Sequence, residues 1–221
     1  MASSEQRRQQ KLAKKRKREN AKKRAAAVAK LAMTDAGMIK AAVKYPITEC
    51  YVEDILDGGM TSIVVARHSS GGAKVLASFV LDLYCLGIKN CFIRVMPQIE
   101  ATPIKDNHIA WSPEDTKKMI MDGVAYANAL GFSPHKDFNK SFKIFDGIDE
   151  TLATKELEFG CDGKPMFIAG PFDSPAKCKQ IIDTLQKSCG EGNSHFIMPT
   201  PGEMDFDEED GQWDGADFFK D

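Results

Sequence analysis

Between Ile47 and Met96 the chain alternates β-branched and aromatic runs with short turns, and this spacing constrains the fold more than any other feature. "ITECYVE", "SIVVARHS" and "AKVLASFVLDLYCL" carry the enrichment of strands, and "SSGGA" (Ser69 to Ala73) supplies a turn between the second and third. A fourth run, "CFIRVM", follows "GIKN". Turns this short leave room only for antiparallel neighbours, so the stretch predicts an antiparallel meander. Alternation along "VLASFVLDLYC" puts Ala77, Phe79, Leu81, Leu83 and Cys85 on one face and Ser78, Val80, Asp82 and Tyr84 on the other, more polar one.

Two capped helices follow. In "WSPEDTKKMIMDGVAYANALG" Ser112 is the N-cap, Pro113 opens the helix, Asp115 sits three residues past the cap and Gly131 is the stop. Ile120, Val124 and Ala127 form its apolar stripe, flanked by Met119, Tyr126 and Leu130, and that stripe is expected on the sheet. "ELEFG" and "PMFIAG", joined through "CDGK", read as a second small hairpin, with Asp162-Gly163 as the turn. Gly170-Pro171 ends that region. Ser174 caps the next helix, Pro175 begins it and Gly190 ends it, with Cys178, Ile181, Ile182, Leu185 and Cys189 as its buried face. "HFIM" is a last short strand. A strand that runs through glycine into a helix N-terminus can hold an anion on free backbone N–H groups. Here Asp173 and Ser174 can satisfy those donors, the Asp charge opposes a phosphate, and no G-x-x-x-x-G-K-[ST] loop occurs, so the segment reads as capping.

Charge divides the chain. The formal net charge of -2 conceals 12 Lys/Arg against Glu5 and Glu19 in residues 1–30, and nine Asp/Glu against Lys220 in residues 201–221. The expected organisation is a basic helical or disordered arm over 1–37, one α+β body over 38–200 and an acidic tail over 201–221, too charged and glycine-spaced to fold alone. From Ser3 to about Met33 the composition prefers helix; "TDAG" (Thr34 to Gly37) interrupts, and a short second helix is expected from about Met38 towards Pro46. The fold class is α+β: an antiparallel β meander with packed helices, flanked by a basic helical arm and a disordered acidic tail.

The most apolar run, Val75 to Ile88, is broken by Asp82 and is shorter than the roughly 20 residues a spanning helix needs, and no secretory segment opens the chain. A cytoplasmic location and six reduced cysteines (Cys50, Cys85, Cys91, Cys161, Cys178, Cys189) are therefore expected. No C-x-x-C pair occurs and His68, His108, His135 and His195 are scattered, so neither a metal nor another cofactor is expected.

Three stretches, "ARHSSGGAKVLASFVLDLYCLGIKNCFIR", "MDGVAYANALGFSPHKDF" and "LEFGCDGKPMFIAG", together resemble an uncharacterised family of bacterial proteins over roughly residues 45–170. The resemblance implies a bacterial or phage setting and a globular body with variable ends. It implies no activity.

The arm carries the strongest functional signal. In "RRQQKLAKKRKRENAKKR" eleven cations, Arg7, Arg8, Lys11, Lys14, Lys15, Arg16, Lys17, Arg18, Lys22, Lys23 and Arg24, occupy eighteen positions. Wound as a helix they lie all round it. A membrane-surface helix needs a broad apolar face, which is missing, whereas closely spaced phosphates gain from such a row by releasing counterions. The leading expectation is a cytoplasmic, non-enzymatic module associated with RNA or the ribosome. One alternative is a hydrolase or nuclease using Asp82, His135 and Asp137, because polar loop residues after a rigid helix can converge on a ligand. Arg67 and His68 are possible neighbours of Asp82, although a hairpin turning at Gly71-Gly72 pairs Arg67 near Leu76. Cys161 is a weaker nucleophile candidate, since no histidine lies nearby in sequence to activate it and its neighbour Asp162 is a carboxylate. Another alternative is an adaptor acting through Phe206, Trp213, Phe218 and Phe219, which interleave with acid in the tail. Arm and tail, being opposite in charge, are also candidate partners of one another.

Overall fold

Alternating strands joined by tight turns pair with their sequence neighbours, and the computed structural model of the chain has that arrangement. It describes residues 14–20, 22–23, 35–53, 59–68, 73–97, 101–102, 104, 106–170 and 172–198. Strands β1 (Ile47–Glu53), β2 (Met60–His68), β3 (Ala73–Asp82) and β4 (Gly87–Pro97) form the antiparallel meander. A three-residue strand, β5 (His108–Ala110), adds to the far edge of β1, giving the order β4-β3-β2-β1-β5. Arg67 pairs with Val75, one residue from the expected Leu76. Two boundaries differ from expectation. β3 stops at Asp82 and β4 starts at Gly87, so "GIKN" is strand; Leu83 to Leu86 form the turn between them.

The first face of the sheet holds the main core. Ile63, Val65, Ala77, Phe79, Leu81 and Cys91 meet α2 (Pro113–Ala129; α1 is Asp35–Ala42) through Met119 and Ile120. Ser112 caps α2 as expected, accepting from the Asp115 amide at 3.0 Å. The helix lies close on the sheet at Gly123, where an added Cβ would stand 2.7 Å from Leu81 Cδ1. The short helix α3 (Phe138–Ser141) and the 3-10 turn Phe142–Phe145 complete the cover, with the Phe145 ring 6.1 Å from Phe79. Arg67, also on this face, is buried. Its guanidinium donates to the carbonyls of Ile144 (2.7 Å), Val43 (2.8 Å), Asp146 (2.8 Å) and Tyr45, tying α1 and the 3-10 turn to the sheet. α1 begins at Asp35, three residues before the expected Met38, and runs through Gly37.

The expected second hairpin is replaced by a β-α-β unit. "ELEFG" is not a strand, because its surroundings are taken by other contacts. Leu157 and Phe159 pack on the main core, and the Gly160 amide donates to Leu83 O at 2.9 Å. Only the turn survives: Asp162 and Gly163 have φ of 52° and 75°, closing a single bridge from Cys161 to Lys164. β6 (Met166–Ile168) pairs in parallel with β7 (His195–Ile197), the expected "HFIM" strand, through α4 (Pro175–Cys189). α4 buries Cys178, Ile181 and Leu185 against Cys85, Leu130 and Phe167, while Ile182 and Cys189 are only partly buried. The six cysteines are free thiols, and no helix among the described residues is long and apolar enough to cross a membrane.

Candidate functional site

Two surfaces carry the candidate residues. The first is the arm. Residues 14–20 and 22–23 are helical, and Lys14, Lys15, Arg16, Lys17, Arg18, Lys22 and Lys23 are all exposed. Arg7, Arg8, Lys11 and Arg24 lie outside the described residues, as do Phe206, Trp213, Phe218 and Phe219 of the tail.

The second surface is the face of the sheet turned away from α2. One end of it is closed by a polar network: the buried Lys74 donates to Thr102 Oγ1 at 2.8 Å and lies 3.9 Å from Glu49, which meets His68 Nε2 at 2.9 Å and accepts from Thr102. Next comes a small apolar cluster of Val64, Leu76 and Met96. At the other end the face opens into a cleft of about 1210 Å³. Met60, Val80 and Asp82 form its floor, Asn90, Phe92 and Arg94 of β4 one side, and Met166, Ile168 and Phe172 the other. Pairing of Val80 with Asn90 but Leu81 with Ile88 leaves Lys89 as the extra residue of a bulge, a device that re-aims a side chain, and Lys89 lines the cleft.

Asp82, His135 and Asp137 all border this one cleft. Asp82 occupies the polar face as expected, but it is neither exposed nor paired with a cation at contact distance. It is 7% exposed, and its Oδ1 accepts from the amides of Tyr84 (2.8 Å), Cys85 (2.9 Å) and Leu86 (3.4 Å), holding the β3–β4 turn. Burial pushes its carboxyl up, against the opposing pull of those amides and of Lys89. His135 is anchored by its amide to Ile88 O at 3.0 Å. Its Nδ1 accepts from the Asp137 amide at 3.3 Å, so the neutral ring carries its proton on Nε2. Asp137 Oδ2 stands 3.9 Å from Nδ1, beyond the reach of an acid–base hydrogen bond. Cys91 Sγ is 3.7 Å from the same nitrogen, but burial raises its thiol to about 11, so it is protonated at neutral pH. Arg67 is on the opposite face and His68 at the opposite end, so neither assists Asp82.

The segment from Gly170 into α4 is a cap. Asp173 Oδ2 accepts from the Gly170 amide at 3.0 Å, its Oδ1 pairs with Lys177 Nζ at 2.7 Å, and Ser174 Oγ accepts from the Lys177 amide at 3.3 Å. Among the described residues no three of His, Cys, Asp and Glu gather as metal ligands. The residues that sequence reasoning missed are the cleft's own cations and rings. Lys89 and Arg94 line it with Phe92 and the exposed Phe172, beside Lys136 of the loop already expected to converge on a ligand and Tyr84 already placed with Asp82, and the Arg94 guanidinium lies 5.7 Å from the Phe92 ring centroid. Phe92 and Arg94 were legible, since both alternate outward from Cys91, Ile93 and Val95. Compared with known protein families, curated proteins and solved structures, the chain finds no match.

Proposed function

We propose that the chain is a cytoplasmic, non-enzymatic module associated with RNA or the ribosome, its affinity supplied by the basic arm. The observation that carries this reading is the exposure of every described arm cation on helical backbone. Such a row neutralises successive phosphates and releases their counterions without reading sequence. Free thiols at all six cysteines accord with a reducing compartment. The test is fluorescence anisotropy of a labelled single-stranded RNA against the full chain and a variant with Lys14, Lys15, Arg16, Lys17, Arg18, Lys22 and Lys23 replaced by Gln. The expected loss is roughly tenfold or more; equal affinity would overturn the reading.

One observation favours a hydrolase or nuclease as the second reading: Asp82, His135 and Asp137 share a cleft. Their hydrogen bonds argue against it, because the Asp82 carboxylate holds a turn and His135 Nδ1 holds the Asp137 amide. Hydrolysis of RNA by the full chain, lost in His135→Ala, would reverse the order of the two readings.

A further inference from the structure

The cleft is a mixed surface of exposed apolar groups and cations, and the last described residues, Ile197 and Met198, lie at its rim. Phe172 is 76% exposed and Met60 36%, while Ile197, paired with Ile168 and so on the same face of the small sheet, is 53% exposed. The lining carries four cations, Lys89, Arg94, Lys136 and Lys177, against three carboxylates, Asp82, Asp137 and Asp173, and Asp173 is paired with Lys177. The Ala169 amide donates to Ile197 O at 3.0 Å, and Ala169 itself lines the cleft. Met198, the last described residue, follows Ile197 directly and so stands beside this wall.

From this placement we infer that the cleft is the docking site of the chain's own acidic segment, residues 201–221. The segment has the complementary chemistry: Phe206, Trp213, Phe218 and Phe219 for the apolar surface, and nine Asp/Glu for the cations. Aromatic side chains that fill pockets while flanking carboxylates meet Lys and Arg is a recurrent mode of peptide recognition. Length is no obstacle, since an extended chain advances about 3.3 Å per residue. Tethering also makes the encounter intramolecular, with an effective concentration in the millimolar range for short linkers. Docking in the cleft leaves the arm cations unopposed by the tail. The inference does not rest on the RNA reading of the arm.

The test uses the full chain carrying Trp111→Phe, which leaves Trp213 as the single tryptophan; subtracting the spectrum of a Trp213→Phe chain gives the same signal without altering Trp111. A docked Trp213 has blue-shifted emission and is shielded from acrylamide at low salt. Adding Lys136→Glu and Phe172→Asp, both outside the buried core, returns the emission to that of a solvated tryptophan with an unchanged far-UV circular dichroism spectrum. Replacing the arm cations by Gln leaves the docked signal intact. A solvated Trp213 in the parent chain overturns the inference. So does shielding that survives the cleft substitutions, that disappears with the arm cations, or that is lost on dilution as binding to a second copy would be. If the cleft substitutions weaken RNA binding while Trp213 stays solvated throughout, the cleft takes nucleic acid instead, and the inference fails.

Discussion

The two faces of the five-stranded sheet are built from the same strands and end differently. On the first face α2, α3 and the 3-10 turn seal Phe79, Leu81 and Ile63 from solvent, and even a cation, Arg67, is enclosed because four carbonyls surround it. On the second face the described residues cover only part of the sheet. A polar network and three apolar residues fill one end, and the other is the open cleft with Phe92, Arg94 and Lys89 at its edge. Alternation sends equal numbers of side chains to both faces of a strand, but only later segments of the chain decide which face is closed. The enclosed core belongs to the first face, and the exposed cations to the second face and the arm.

The largest expected effect is at Arg67. Arg67→Ala removes charge-assisted hydrogen bonds and strands buried carbonyls, at an expected cost of about 3–5 kcal/mol in chemical denaturation. A cost below about 1 kcal/mol would mean that the carbonyls find water and that the first face is less closed than described. Next is a pair of phenylalanines. Phe79→Ala should cost about 3–5 kcal/mol through the cavity it leaves, whereas Phe172→Ser on the cleft rim should stay within about 0.5 kcal/mol. Similar values for the two would erase the contrast between the faces.

Asp115 sharpens the comparison further, because it pins α2 to the chain that follows. It accepts from Ser112 Oγ (2.6 Å) and from the amides of Thr154 (2.6 Å) and Lys155 (2.8 Å). Burial raises its carboxyl, but these bonds outweigh burial and hold it below its ordinary value of 3.8. Its stabilising contribution is therefore complete above the unfolded value and is lost as pH falls through the lower folded one. Asp115→Asn should cost about 1–3 kcal/mol at neutral pH, and urea midpoints should converge with the parent only in acid. On the second face Asp82 runs the other way. Its carboxyl is raised by burial, so its contribution is complete below 3.8 and is lost as pH rises through the folded value. Asp82→Asn should therefore lie nearest the parent in acid and gain stability relative to it as pH rises, measured by the same midpoints.

The unequal legibility of these regions has a physical cause. β1 to β3, α2 and α4 were readable because alternation, N-caps such as Ser112 and Ser174, and stops such as Gly131 and Gly190 act within a few residues. β5 and the parallel pairing of β6 with β7 were not, since three-residue strands carry no period and their partners lie far along the chain. The same holds for the site. The alternation that placed Asp82 on the polar face also exposes the Phe92–Arg94 pair, yet the burial of Asp82 depends on the amides of the following turn. Lys89 reaches the cleft through a bulge that no local pattern announces. Phe172 looks like an ordinary loop residue until the cleft beside it is known.

The central claim, that nucleic-acid affinity resides in the arm, is tested most directly by the salt dependence of RNA binding. Each phosphate neutralised on a single strand contributes a slope of about -0.7 to log affinity against log salt. The full chain should give a steep line, and the chain with its seven described arm cations changed to Gln a much shallower one. The cleft variant Lys136→Glu, Phe172→Asp should keep the parent slope to within about one phosphate. Equal slopes for parent and arm variant would contradict the claim and move RNA binding from the arm to the body.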